Sequence, residues 1–94
     1  MTIDLSVAID IKATAHGLDP KLVAAVVRHR SRGYVFAVRD QALGLMQVSP
    51  EDCEMAGVSW DDLRRAIEAK NDETAAELGL EVGCAVLARQ QRQI

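Results

Sequence analysis

The chain has 94 residues, 49% of them apolar and 27% charged. That is the balance of a soluble globular protein, at a length that supports one hydrophobic core rather than two. A formal net charge of −3 argues against a uniformly basic nucleic-acid binder. No apolar run approaches the roughly 18–20 residues of a membrane span. Tyr34, Phe36 and Trp60 are the only aromatics, so the core must be built from Ala, Val, Leu and Ile.

The spacing of Leu5, Ala8, Ile9 and Ile11 predicts a helix over residues 4–15, ended by His16-Gly17, where glycine can take left-handed geometry. Asp19 then reads as an N-cap with Pro20 at the first helical position, where the missing N–H costs nothing. The second helix is expected to reach Arg30 or Ser31. Its apolar columns are Leu22–Val26 and Val23–Val27, each spaced i, i+4. Extending the first column by one turn lands on Arg30, which is therefore expected to continue a buried stripe and emerge into a cleft.

Residues 32–43 read as a loop or weak hairpin. Gly33 and Asp40-Gln41 are the turn candidates, and Tyr34-Val35-Phe36 is a short extended piece. Pro50 is expected to open a short helix closed by Gly57. Ser59 with Asp62 resembles a capping box that opens a helix through about Ala69. Asn71 or Asp72 starts the last helix, with Leu78, Val82, Ala85, Val86 and Leu87 on its inner side. Gly79 and Gly83 stand in that helix at i, i+4. Glycine there costs about 1 kcal/mol relative to alanine, so close backbone packing is the expected reason. The fold class expected is mainly α, a single small domain over residues 1–94 with at most a short β element in residues 32–43. Cys53 and Cys84 lack metal-ligand spacing and read as buried thiols, with a disulfide between packed helices as the alternative. No metal or cofactor is expected.

Three stretches, taken together, resemble one known family. They are Gly17-Leu18-Asp19-Pro20 before the second helix, the helix end Arg28-His29-Arg30-Ser31, and Gly44-Leu45-Met46-Gln47 with Pro50 behind it. In order and spacing they are similar to the soluble lytic transglycosylases, lysozyme-fold enzymes that cleave the glycan strands of bacterial peptidoglycan. Gly83 with Leu87 matches the family too, whereas Gly79 stands where it has asparagine. The resemblance implies a lysozyme-like fold and a Glu-Ser pair at the end of the second helix. This chain has Arg30-Ser31.

In the family that glutamate first protonates the glycosidic oxygen and then, as carboxylate, takes a proton from the sugar's C6 hydroxyl, giving an anhydro product. Arginine offers donors but no transferable proton near neutral pH. Loss of the proton-transfer group alone removes about 10²–10⁴-fold in rate. The resemblance also implies a following segment with a cleft-lining Tyr-Asn pair, whereas the sequence ends at Ile94 and its only tyrosine is Tyr34. Asp40, Glu51 and Glu54 are the carboxylates to weigh as a relocated acid. Asp40 has a ready alternative role as turn former, and Glu51 as a first-turn residue favoured by the helix dipole.

The resemblance places Arg30 at the catalytic position, not competent, with Ser31, Gln47 and the family-typical Met46 as substrate-contacting residues, while Tyr34 and Phe36 are candidates to stack on a sugar face as aromatic rings do in glycan clefts. Each has a plainer reading. Ser31 would serve as a helix C-terminal hydroxyl, Gln47 as a loop amide satisfying backbone groups, and Met46 as a core filler. Tyr34 or Phe36 would belong to the core, and Trp60 would be a packing anchor. Arg28, Arg30, Arg32 and Arg39 form a local basic cluster, either a solvated rim bordering the cleft or an anion site for a muramic-acid carboxylate, a phosphate or an acidic partner surface. His29, next to Arg30 on the helix, is expected to face elsewhere.

Three functions follow as expectations. The first is a transglycosylase-like, peptidoglycan-related domain that does not cleave, with a glycan strand or a protein as partner and no nucleic acid. The second is an active transglycosylase, through another acid or in a parent where Arg30 is an engineered replacement of glutamate. The third is a helical interaction module using Arg28 to Arg39. The N-terminus, acidic and amphipathic, shows no secretory signal. The wall is then reached by another route, such as a phage particle, or the sequence is given without its leader.

Overall fold

The computed structural model describes residues 4–92. Five helices and one small hairpin follow in the order α1 (Leu5–Ala15), α2 (Pro20–Ser31), β1 (Val38–Arg39), β2 (Ala42–Leu43), α3 (Pro50–Ala56), α4 (Trp60–Glu68) and α5 (Asp72–Arg92). The expected mainly helical class with a short β element is what the chain forms.

Local signals set most boundaries. Asp4 caps α1, its carboxylate accepting from the Val7 N–H. Asp19 caps α2 ahead of Pro20, and Ser49 caps α3 ahead of Pro50. Gly57 closes α3 in left-handed geometry, φ 73°, which a residue with a Cβ enters only at a cost. The full capping box belongs to α3 rather than α4. Ser49 Oγ accepts from the Asp52 N–H at 3.1 Å while Asp52 Oδ2 accepts from the Ser49 N–H at 3.0 Å. At α4 only the forward half forms, Ser59 Oγ accepting from the Asp62 N–H at 3.2 Å.

The last helix, α5, is the organising element. It spans 21 residues, about 31 Å at 1.5 Å per residue, and packs against α1, α3 and α4, while α2 packs on α1. Its buried residues are Ala75, Ala76, Gly79, Leu80, Val82, Gly83, Cys84 and Ala88, most of them small, so three helices and a loop can approach its axis. Of the expected inner residues only Val82 is fully buried. Leu78 and Leu87 lie half-buried against the core, and Ala85 and Val86 are half-buried too. The core is aliphatic and contains no buried polar or charged side chain among the described residues.

Two expectations about helix faces are corrected. Ile11 on α1 is 62% exposed, and Ala13 takes the buried place beside Ile9. On α2 the buried column is Val23–Val27; of the other column Leu22 and Arg30 are exposed and Val26 is half-buried against the core. The reason is that α2 has α1 as its principal neighbour and buries only the stripe facing it.

The hairpin falls within residues 32–43 and turns at Asp40-Gln41 as expected, but its extended residues are not Tyr34-Val35-Phe36. Tyr34-Val35-Phe36 forms a turn, with the Ala37 N–H donating to the Tyr34 carbonyl at 3.2 Å. The extended pairs come later, Val38 opposite Leu43 and Arg39 opposite Ala42. Asp40 at the connecting turn has φ 54°, a value aspartate tolerates better than most residues. Cys53 and Cys84 are both buried and unpaired, the plainer of the two readings. Trp60 packs half-buried against the core.

Candidate functional site

The segment after the hairpin is a closed loop. Leu43 and Val48 exchange two backbone hydrogen bonds, 2.9 and 3.0 Å, and pinch off Gly44-Leu45-Met46-Gln47 between them. Leu45 and Met46 are driven into the core, at 0% and 1% exposure. The loop lies on α5 where Gly79 and Gly83 leave room: a Cβ on Gly79 would meet the Leu45 backbone nitrogen at 3.6 Å, and one on Gly83 would run into the Met46 side chain. The paired glycines thus serve close packing, as their spacing predicted.

Gln47 then sits on the loop's outer edge with φ 51°. Its Nε2 donates to the Ala37 carbonyl at 3.1 Å and to the Gly44 carbonyl at 2.9 Å. Both amide hydrogens are spent, which leaves the side-chain oxygen as its free group. The Gly44 N–H donates back to Ala37 at 2.8 Å, so Gln47 ties the loop to the start of the hairpin.

Across from this edge, α2 ends. Ser31 Oγ donates to the Val27 carbonyl at 3.0 Å and accepts from the Gly33 N–H at 3.3 Å. Arg32 turns the chain in left-handed geometry, φ 55° and ψ 27°. Arg30 reaches over, its Nη1 donating to the Met46 carbonyl at 3.3 Å. That bond links the helix end to the loop.

Between these pieces lies an open pocket of about 330 Å³. His29, Arg30, Ser31 and Arg32 line it from the end of α2, Tyr34 and Ala37 from the turn, Val38 and Arg39 from β1, and Gln47 from the loop. Arg30 and Gln47, far apart in sequence, therefore border one hollow, with Ser31 and Tyr34 beside them. Tyr34 is 56% exposed and meets Phe36 edge-on, centroids 6.0 Å apart at 87°. Phe36 is the aromatic that packs on the core, with Lys70 Nζ 4.9 Å from its ring centroid.

Other assignments fail. The Met46 side chain is buried and lines no part of the pocket; only its carbonyl takes part, because Gly83 opens a slot in α5 that the thioether fills. His29 does line the pocket, since the α2 end is flanked by hairpin and turn on more than one side. Arg28 lines a separate apolar groove with Leu5, Ile9 and Val27. Asp40, Glu51 and Glu54 are exposed and lie outside the pocket. Among the described residues no carboxylate lines it. Of the arginine cluster expected to border the cleft, Arg30, Arg32 and Arg39 line this hollow and Arg28 does not.

Among the described residues no three His, Cys, Asp or Glu side chains gather as metal ligands would, and no helix is long and apolar enough to cross a membrane. The chain matches no family model, no curated protein and no solved structure.

Proposed function

We propose that this chain is a transglycosylase-like domain that binds a peptidoglycan glycan strand at the Arg30–Gln47 pocket without cleaving it. The observation that carries the reading is chemical. The pocket bordered by the motif residues is lined by three arginines, a histidine, Ser31, Tyr34 and Gln47, and, among the described residues, by no carboxylate. Glycosidic cleavage by proton transfer needs a group that gives and takes a proton at the scissile oxygen. The arginines supply donors only; His29 is the lining side chain of a type that can carry proton transfer, and the release assay below tests whether it does. What remains suits recognition: an exposed aromatic ring, a free amide oxygen and several N–H groups around a concave surface.

The test is sedimentation with purified peptidoglycan, followed by analysis of the supernatant. A binding domain sediments with the wall material and releases no anhydro-muropeptides. Release would overturn the non-cleaving reading, and failure to sediment would overturn the glycan reading. A second reading, contact with a protein, draws on a different face: Val7 and Ile11 on α1 are 50% and 62% exposed. Replacing both with serine should abolish such an association and leave sedimentation with glycan unchanged.

A further inference from the structure

The cations of the pocket do not all have the same explanation. Arg28, His29 and Arg30 stand in the last turn of α2, where positive charge answers the negative end of the helix dipole and its unpaired carbonyls. Arg39 has no such account. It stands on β1, opposite Ala42, and reaches the same hollow from another element.

Arg32 is held at φ 55° and Gln47 at φ 51°, in a region that costs a residue with a Cβ about 1–2 kcal/mol. Asp40 and Lys70 take the same geometry outside the pocket, so these φ values locate the turns that border the hollow and do not by themselves mark a site. Acidic residues outnumber Lys and Arg by 14 to 11, and elsewhere Lys12 and Arg64 pair with carboxylates. Arg30, Arg32 and Arg39 are in no ion pair among the described residues, as is true of most other cations of the chain, but these three converge on one hollow. An acidic protein thus gathers three guanidinium groups at this concave surface, which concentrates anions there.

We infer that this pocket binds an oxyanion, carboxylate or phosphate, carried on a sugar-sized ring, with Arg30, Arg32 and Arg39 holding the charge and Tyr34 meeting the ring. The inference rests on the reading that the pocket is the ligand site, and it adds what the ligand must carry. A guanidinium presents N–H groups in a planar fork that matches two oxygens of one anion. Arg30 spends only Nη1 on Met46, so Nη2 and Nε stay available. The edge-on contact with Phe36 fixes the Tyr34 ring, leaving its exposed part as a platform. A volume of about 330 Å³ is at the small end of ligand pockets, enough for one substituted ring.

The experiment titrates the full chain, by NMR at low salt, with five probes: inorganic phosphate, N-acetylmuramic acid, N-acetylglucosamine 6-phosphate, the neutral N-acetylglucosamine trimer and a short single-stranded oligonucleotide. Both acidic sugars should bind about tenfold more tightly than the neutral trimer, the worth of one charge-assisted hydrogen bond. The ranking between them identifies carboxylate or phosphate as the source. Arg39→Ala should weaken both about tenfold, with Arg39→Lys intermediate and the remote Arg64→Ala without effect. Equal affinity for neutral and acidic sugars would overturn the inference while leaving the glycan reading in place. Phosphate binding as tightly as the sugar phosphate would overturn the role of Tyr34 and the ring. Preference for the oligonucleotide, or no binding by any probe, would overturn both the inference and the reading beneath it.

Discussion

The Cβ that Gly83 lacks would fall 2.6 Å from the Cβ of Met46 and 2.8 Å from its Cγ, closer still to Sδ. Atoms beyond Cβ can rotate away; Cβ itself moves only with the loop backbone. Gly83→Ala therefore sets a helix gain of about 1 kcal/mol against overpacking that costs about 1–3 kcal/mol, and a net loss of stability is expected. Gly79→Ala differs. Its new Cβ would meet the Leu45 nitrogen at 3.6 Å, an ordinary contact, so the helix gain should survive. Urea midpoints for the two variants should move in opposite directions, and a shift in the same direction would show that the loop does not rest on α5 as described.

The two thiols report on the same core. Burial pushes the Cys84 thiol up to about 11, with Glu81 adding to the effect, and burial also raises Cys53, helped by Asp52. The thiolate is the reactive form. At pH 8 the native chain should react slowly with a disulfide reagent, at a rate set by opening of the fold. Labelling in urea should quicken in step with unfolding. Fast reaction of one thiol in the native state would place it in a mobile part of the core.

One ion-pair network clamps α1 to α5. Lys12 Nζ lies 2.7 Å from Glu77 Oε1 and 2.9 Å from Glu81 Oε1, and His16 Nε2 lies 3.0 Å from Glu81 Oε2. Glu81 is held below its ordinary 4.5, first by the hydrogen bond from Lys12. Burial pulls Lys12 down, but its bonds to Glu77 and Glu81 outweigh that and raise it above 10.5. A lowered carboxylate stabilises above its unfolded value and loses that contribution as pH falls through the folded one; a raised lysine stabilises below its unfolded value and loses it as pH rises through the folded one. The contribution of the Lys12–Glu81 pair should be level from about pH 5 to pH 10 and fall on both sides. Glu81→Gln should lower the plateau by about 1 kcal/mol and flatten the acid limb, as read from urea midpoints against pH.

What the sequence made legible was local. Asp19-Pro20, Pro50 and Gly57 act on the backbone within a turn of themselves, so the ends of α2 and α3 could be read from them. The Gly79–Gly83 pair predicted a close approach because no local reason for two helical glycines exists. Which face of α2 is buried was not legible. Leu22–Val26 and Val23–Val27 are equivalent columns until α1 chooses one. The hairpin was legible from its Asp40-Gln41 turn but its paired residues were not, since Val38–Leu43 pairing is fixed by the Leu43–Val48 bridge and the Gly44–Ala37 bond rather than by β propensity in Tyr34-Val35-Phe36. The pocket followed the same rule. Arg30 and Gln47 were visible as motif positions, while Arg39 and His29 join them only because the hairpin folds back on the helix end.

Arg32 offers a test in which stability and binding part company. Glycine at its left-handed position removes a Cβ penalty of about 1–2 kcal/mol, partly offset by the greater freedom of the unfolded chain. Arg32→Gly should raise the unfolding midpoint by up to about 1 kcal/mol while weakening binding of an acidic sugar. Arg32→Ala keeps the penalty and should weaken binding without the gain. Loss of stability in Arg32→Gly would mean that the arginine holds the helix end rather than a ligand.

Arg30→Glu asks whether one residue separates this pocket from cleavage. Glutamate would restore the resembling family's residue, but not its surroundings. Arg32, Arg39 and His29 line the same hollow, and nearby cations favour the ionised form of a carboxylate. A general acid must instead begin protonated. The exchange also removes the Arg30 bond to the Met46 carbonyl. Arg30→Glu alone is therefore expected to release no anhydro-muropeptide from purified peptidoglycan at neutral pH. Adding Arg32→Ala and Arg39→Ala relieves the electrostatic part of that block, so activity in the triple variant alone would assign the silence to the cations. Activity already in the single variant would show that the arginines leave the carboxyl able to hold a proton, and that Arg30 by itself had switched the chemistry off.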